Sequence, residues 1–287
     1  MNKSLKISVT RKFLYKFLQF ISFKIIGRKQ TKLCLLKLFE ALDLDILTVA
    51  HAQSGIGIYG NSDQTGEAHF LNKFVFNELK DKQCIIFDVG ANIGEYTLAL
   101  GKKFHLANIY SFEPNLASFK TLLKTTEGYD NIKPVNLGVG KGCCKEKIYS
   151  YSTNPASEHA SVFKDVLTDI HRADNFVSQE IDIIDLTTFC HSKSIKFIDL
   201  LKIDTEGYEM EVLKGAESLI RNRQIGIIQF EFNEMNVISK VFLKDFYQLL
   251  RDYKFFRLCP AGMIPLGEYN PSNEVFKYQN IVCILDS

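Results

Sequence analysis

Ile85-Ile86-Phe87-Asp88-Val89-Gly90-Ala91-Asn92-Ile93-Gly94-Glu95-Tyr96-Thr97 is the stretch that decides the fold. Ile85, Ile86, Phe87 and Val89 make a short apolar run of the kind found in strands covered on both faces. Gly90 and Gly94 then supply the backbone freedom for a tight turn and for close approach to a ligand. The residues that follow predict a helix whose N-terminus offers unpaired N–H groups to an anion. In the dinucleotide pattern G-x-G-x-x-G the middle glycine is replaced here by Asn92, and the third is absent. That departure disfavours a loop gripping a pyrophosphate and suits a ligand whose anion is a single carboxylate. Asp88, at the strand end, is placed to meet that ligand's ammonium.

The next strand ends Tyr110-Ser111-Phe112-Glu113-Pro114, which puts a second carboxylate 25 positions after Asp88. An acidic side chain about 20 residues on reaches a ribose diol in nucleotide-binding α/β folds. Together the two strand ends define a cofactor grip, and S-adenosylmethionine is an example of a ligand whose anion is a single carboxylate. Pro114 suits the start of a helix beyond it.

Working outward, short apolar runs alternate with helical segments from residue 82 to the end. Strands are expected at Cys84 to Val89, Asn108 to Phe112, Ile132 to Leu137, Phe197 to Ile203, Ile225 to Phe232, Lys254 to Leu258 and Asn280 to Leu285. Helices are expected near Ile93 to Lys103, Leu116 to Thr126, Tyr208 to Arg221 and Val241 to Tyr253. This order implies an α/β fold with a mostly parallel sheet covered on both faces. Ligands in such sheets bind outside the carboxyl ends of the strands, where the winding reverses.

The composition, 46% hydrophobic and 24% charged over 287 residues, is ordinary for a globular chain and excludes collagen-like or disordered classes. Charge is uneven. Residues 1–39 hold ten Lys/Arg and no acid, while the other 248 hold 25 basic and 33 acidic residues. The acidic body argues against a groove that wraps nucleic acid, so no nucleic-acid partner is expected. The basic arm reads as a contact for an anionic surface. Within it, Phe13 to Ile26 is amphipathic but too short and too charged to span a bilayer, and no cleavage site follows. It is read either as an interfacial helix making peripheral membrane contact through residues 1–39, or as a helix packed on the body. Leu33 to Leu47 reads as a core helix, and Gly55 to Asn61 as a turn or short hairpin near the site entrance. The seven cysteines show no CxxC and no zinc-type spacing, which fits free thiols in a reducing, cytoplasmic compartment, with Cys84 and Cys283 as small core residues.

DVGANIGEYT (88–97), SFEPN (111–115), VNLGVG (135–140), LLKIDTEGYEMEVLKGA (200–216) and IQFEFNE (228–234) together resemble the FkbM family of S-adenosylmethionine-dependent methyltransferases. The resemblance implies a Rossmann-like class I methyltransferase sheet, usually seven strands with the last antiparallel, that last strand being the run to Leu285. The domain would be residues 71–287, preceded by a helical N-terminal arm at 1–70. The resemblance also implies that Asp88, Gly90, Asn92 and Gly94 surround the methionine part of the cofactor, with Tyr96 and Thr97 lining the helix end. Glu113 would hold the ribose, and Asn136 and Leu137 would meet the adenine.

A hydroxyl acceptor must lose its proton during attack. Asp204 and Glu206, in Lys202-Ile203-Asp204-Thr205-Glu206-Gly207 at the end of the strand beside the first, are the candidates for acceptor binding and proton removal. His159, in the insertion 141–180 that is expected to form a lid, is a third candidate with a pKa near neutrality. No metal site is assigned, although Asp204, Glu206 and Glu231 are oxygen donors that suit a divalent cation orienting a diol. The expected activity is O-methylation of a small-molecule or glycan acceptor, such as a glycan, glycolipid or other hydroxylated metabolite. A nicotinamide-dependent oxidoreductase and a non-catalytic membrane-associated binding protein are the alternatives. G-x-S-x-G and H-E-x-x-H are absent, which removes the main support for hydrolases.

Overall fold

The computed structural model describes residues 27–152 and 159–286. The amphipathic segment Phe13 to Ile26 lies outside the described residues. The chain forms two compact units, one ending at His51 and one running from Ala52 onward. The body therefore begins earlier than residue 71. Ile56, Thr65 and Phe70 are buried in it, and Phe70 sits in one core cluster with Leu71 and Val75.

In the first unit the helix Arg28–Ala41 buries none of its residues. The core expectation for Leu33 to Leu47 is thus not met, since Leu33, Leu35, Leu36 and Leu38 are each about half exposed. The reason lies in their spacing. Those four leucines fall around the whole helix circumference and form no single stripe that one packing partner could cover.

The second unit is built on strands β1 (Ile85–Val89), β2 (Asn108–Phe112), β3 (Ile132–Val135), β4 (Gly138–Val139), β5 (Cys144–Tyr151), β6 (Phe176–Ile184), β7 (Ile198–Ile203), β8 (Ile225–Phe232), β9 (Tyr253–Cys259), β10 (Gly262–Pro265) and β11 (Gln279–Leu285). Eight of them form one sheet in the order β10-β9-β11-β8-β7-β1-β2-β3. Strands β3, β2, β1, β7 and β8 run parallel to one another, and β11 is antiparallel to both β8 and β9. This is the expected Rossmann-like sheet with an antiparallel last strand. An eighth strand is added where β10 folds back on β9 as an edge hairpin.

Alternation along β1 divides the core. Phe87 and Val89 join the cluster on one face with Phe112, Leu201 and Ile203, whereas Ile86 joins Ile109, Leu200 and Val282 on the other. Phe87, Phe112 and Phe189 meet edge to face at ring separations of 4.8–5.7 Å, and each such pair adds about 0.5–1.5 kcal/mol beyond its burial. Phe189 belongs to the helix Leu186–Ser192, which was not anticipated. The expected helix Tyr208 to Arg221 divides at Ala216 into Glu209–Gly215 and Glu217–Arg221. Cys84 and Cys283 are buried, and all seven cysteines are free.

The insertion read as a lid carries two strands among its described residues. Strands β5 and β6 pair antiparallel over their length, and β6 also pairs with β4, giving a second, three-stranded sheet. Among the described residues, no helix is long and apolar enough to cross a membrane.

Candidate functional site

The winding reverses at β1, which has β2 on one side and β7 on the other. At the carboxyl ends of these strands lies a cavity of about 810 Å³, within the usual range for a small-molecule site. Gly90 has φ +81°, and a Cβ there would lie 1.7 Å from the Asp204 carbonyl oxygen. Glycine is therefore needed for the β1 and β7 turns to touch, in addition to any ligand. Gly94 (φ +90°) starts the helix Glu95–Lys103, and its missing Cβ makes room for Leu122, not for a ligand. Asn92 adopts the left-handed region at φ +47°, which Asn tolerates better than most residues.

Of the residues anticipated from sequence, Gly90, Asn92, Tyr96, Glu113, Leu137, His159, Asp204 and Glu206 all line this one cavity. Asp88, Gly94, Thr97 and Asn136 are not among the lining residues. Asp88 and Thr97 are fully buried: the Thr97 hydroxyl donates to Asp88 Oδ2 at 2.5 Å, and Lys202 Nζ lies 3.9 Å from Asp88 Oδ1. Asp88 thus meets a lysine of its own chain where a ligand ammonium was expected. Asn136 spends its side-chain amide on the carbonyls of Glu113 and Pro114, at 2.8 and 3.2 Å, and so fixes the turn after β2.

Glu113 is held by two backbone donors, Asn92 N–H to Oε2 and Asn115 N–H to Oε1, each at 2.8 Å. Burial nevertheless dominates and raises its pKa to about 7. Asn92 Oδ1, in the same corner, is buried with no hydrogen-bond partner. Beyond Glu113 the wall turns apolar, formed by Phe112, Leu137, Val139, Ile148, Ile181 and Ile183.

Other lining residues are ionisable. Lys202, buried on β7, donates to Asp204 Oδ2 at 2.8 Å, and its ammonium sits 5.1 Å from the centre of the Tyr96 ring. Burial works against its charge, but Asp204, Asp88 and Glu67 together raise its pKa above the usual lysine value. Burial raises the Glu67 and Glu231 carboxyls as well. Tyr96 donates to Gln229, whose amide in turn donates to Glu67 at 2.9 Å. Tyr59 lies on the expected turn after Gly55 and donates to Glu234, and Tyr278 stands beside it with rings 5.5 Å apart.

Glu206 also adopts positive φ, +54°, and is pinned through its carbonyl by the Ser161 hydroxyl at 2.8 Å. Burial raises its carboxyl to about 7, against the opposing pull of His159, whose Nδ1 is 3.6 Å from Glu206 Oε1. His171 lies against His159 with ring centres 4.2 Å apart, and burial lowers its pKa to about 4, so its imidazole is neutral at pH 7.

Glu67, Tyr59, His171 and Tyr278 were not singled out as site residues. Tyr59 lay in the Gly55 to Asn61 turn expected near the site entrance, Glu67 in the region read as the arm, and no local pattern marks Glu67, His171 or Tyr278.

A family model described as the Methyltransferase FkbM domain matches residues 88–256. The chain is 26% identical to Methyltransferase 1 of Beauveria bassiana, covering 56% of this chain and 72% of that protein. It is 24% identical to the Hexuronic acid methyltransferase AglP of Haloferax volcanii, covering 62% of this chain and 67% of that one. The crystal structure of Methyltransferase FkbM from Methylobacillus flagellatus KT aligns at 13% identity and TM-score 0.40. That alignment spans 83% of this chain but only 59% of the other. With the family model covering more than half of its length, on the strands and turns that build the cavity, the chain belongs to the FkbM methyltransferase family.

Proposed function

We propose that this protein transfers a methyl group from S-adenosylmethionine to a hydroxyl of a sugar-like, polyhydroxylated acceptor. One observation carries the reading: a single cavity holds an apolar wall, the Glu113 carboxylate and an acid-rich wall, the three surroundings that the parts of the donor molecule require. Apolar Leu137, Val139 and Ile183 suit a purine, and the Glu113 carboxylate beside them suits a ribose diol. The acid-rich wall at Asp204, Glu67 and Glu231 suits a cationic sulfonium and ammonium. The unpartnered Asn92 Oδ1 fits this assignment, since a buried acceptor calls for a donor group from a ligand. When bound, the donor supplies an electrophilic methyl group.

The protein's own part is to orient and to move a proton. Asp88 anchors Lys202, Lys202 holds Asp204 at the rim, and the Glu206–His159 corner is where the acceptor proton leaves. Tyr59, Glu231, Glu234 and Asn233 add hydrogen-bonding groups to the cavity lining, a set suited to an acceptor with several hydroxyls. The likeness to a hexuronic acid methyltransferase supports a carbohydrate acceptor. Peripheral contact of the basic arm with an anionic surface belongs to the same proposal.

Calorimetry with S-adenosylmethionine and with NADH, paired with transfer of labelled methyl to oligosaccharide acceptors, tests this reading. Binding of the first ligand only is expected, and Glu206→Gln should lower turnover about 100-fold with donor affinity unchanged. Binding of NADH in its place would overturn it.

A further inference from the structure

His159 and His171 come from the segment that crosses between β5 and β6, and Glu206 comes from the turn after β7. No sequence spacing links the three. In the fold, one ligand atom from each lies within 4.8 Å of the other two. Glu206 Oε2 and His171 Nε2 are both buried with no hydrogen-bond partner. Buried polar atoms are seldom left unmade, and here two potential ligand atoms face the same question from different elements. The Tyr151 ring packs edge-on against both imidazoles, at 6.2 and 6.5 Å, and holds them side by side.

We propose that His159, His171 and Glu206 bind a divalent first-row transition cation, with its remaining coordination positions open to the cavity. Two imidazoles and one carboxylate are the donor set of Zn²⁺ and its neighbours, whereas Mg²⁺ and Ca²⁺ take oxygen ligands. Bonds of about 2.1 Å place tetrahedral ligand atoms about 3.4 Å apart. The His159–Glu206 pair, at 3.6 Å, is already near that separation. The oxygen set considered from sequence, Asp204 with Glu206 and Glu231, fits less well because Asp204 is engaged by Lys202 at 2.8 Å. As a binding site the trio stands on its geometry. Its use in holding an acceptor hydroxyl rests on the methyl-transfer reading: the cation would lower that hydroxyl's pKa, and the proton would pass to solvent in the open cavity, since Glu206 and His159 would then be ligands and not bases.

The test uses the full chain with the exposed Cys34, Cys143 and Cys144 changed to Ser, because free thiols compete for the same ions. The protein is stripped with chelator, then titrated with Co²⁺ by visible absorption and with Zn²⁺ by calorimetry, while donor affinity is measured in parallel. One equivalent of Co²⁺ with visible bands of nitrogen and oxygen ligation is expected. His171→Gln and Glu206→Gln should each weaken binding at least about tenfold, and the exposed His191→Ala should not. Absence of a stoichiometric Co²⁺ signal overturns the site, as does equal affinity in the parent and both variants. Melting of the metal-free variants at the parent's temperature shows that a loss is not unfolding. Cobalt binding without donor binding would overturn the methyl-transfer reading and leave the cation site standing. Donor binding without cobalt would overturn the cation site alone.

Discussion

Glu113 and Lys202 show how single residues set the chemistry of the cavity. Glu113 gives up much of its acidity to burial, despite two backbone donors, and its pKa of about 7 places its charge change near neutral pH. Below that value the carboxyl is protonated and loses an acceptor for the ribose, so donor affinity should fall about tenfold from pH 8 to pH 6. Calorimetry at the two pH values checks this, and Glu113→Gln should flatten the dependence. A pH-independent affinity in the parent protein would remove Glu113 from the ribose site. Lys202 has a different burden. It is the cation within reach of the fully buried Asp88, so Lys202→Met should cost about 3–5 kcal/mol by leaving that acid uncompensated. Urea unfolding measures the loss, and a cost under about 1 kcal/mol would show that Asp88 is protonated in the native protein.

The elements differ in how plainly the sequence announces them. Strands β2 and β8 were legible to the residue because their apolar runs are continuous and bounded by turn residues. Strands β5 and β6 were not. The first four residues of β5, Cys144 to Lys147, are all exposed, so half of the strand carries no hydrophobic signal. The helix Leu186–Ser192 contains two threonines and begins at an Asp185 cap that accepts from the Thr188 N–H, a pattern as common in turns as in helices. At the site Asp88 and Glu113 were legible as strand-end acids 25 positions apart, and Asp204 from its place at the end of the strand beside the first. Glu67 was not, because its role comes from a hydrogen bond to Gln229, 162 positions away. The crossing segment also yields a prediction. Ser161 exchanges both backbone hydrogen bonds with Tyr149 and donates its hydroxyl to the Glu206 carbonyl, so it ties the segment to β5 and to the β7 turn together. Ser161→Ala should therefore lower kcat several-fold, with donor affinity unchanged and a stability loss of about 1 kcal/mol. Equal losses in donor affinity and kcat would show a general loosening of the fold.

At the scale of the whole molecule, the separation of charge is the dominant feature: ten basic residues before position 40 and a net acidic remainder. Electrostatic attraction of such an arm to anionic lipid is screened by salt over about 8–10 Å. Sedimentation with vesicles containing phosphatidylserine should therefore show binding that fades between 0.05 and 0.5 M salt, roughly the range over which that screening tightens. Removing residues 1–39 should abolish it and leave donor affinity intact. Retained binding in the truncated protein would assign the contact to the acidic body.

The second sheet has one more consequence. Its strands β5 and β6 leave and rejoin the body side by side, with Cys144 paired to Ile183, and between those ends runs the stretch that brings His159 and His171 to the cavity. A module with adjoining ends can be exchanged for a relative's version without re-registering the strands beneath it. Exchanging only the crossing stretch between Tyr151 and Phe176, which are themselves paired, is thus, on the proposed reading, a route to altering which molecule is methylated while Ile148, Ile181 and Ile183 stay in place at the cavity wall.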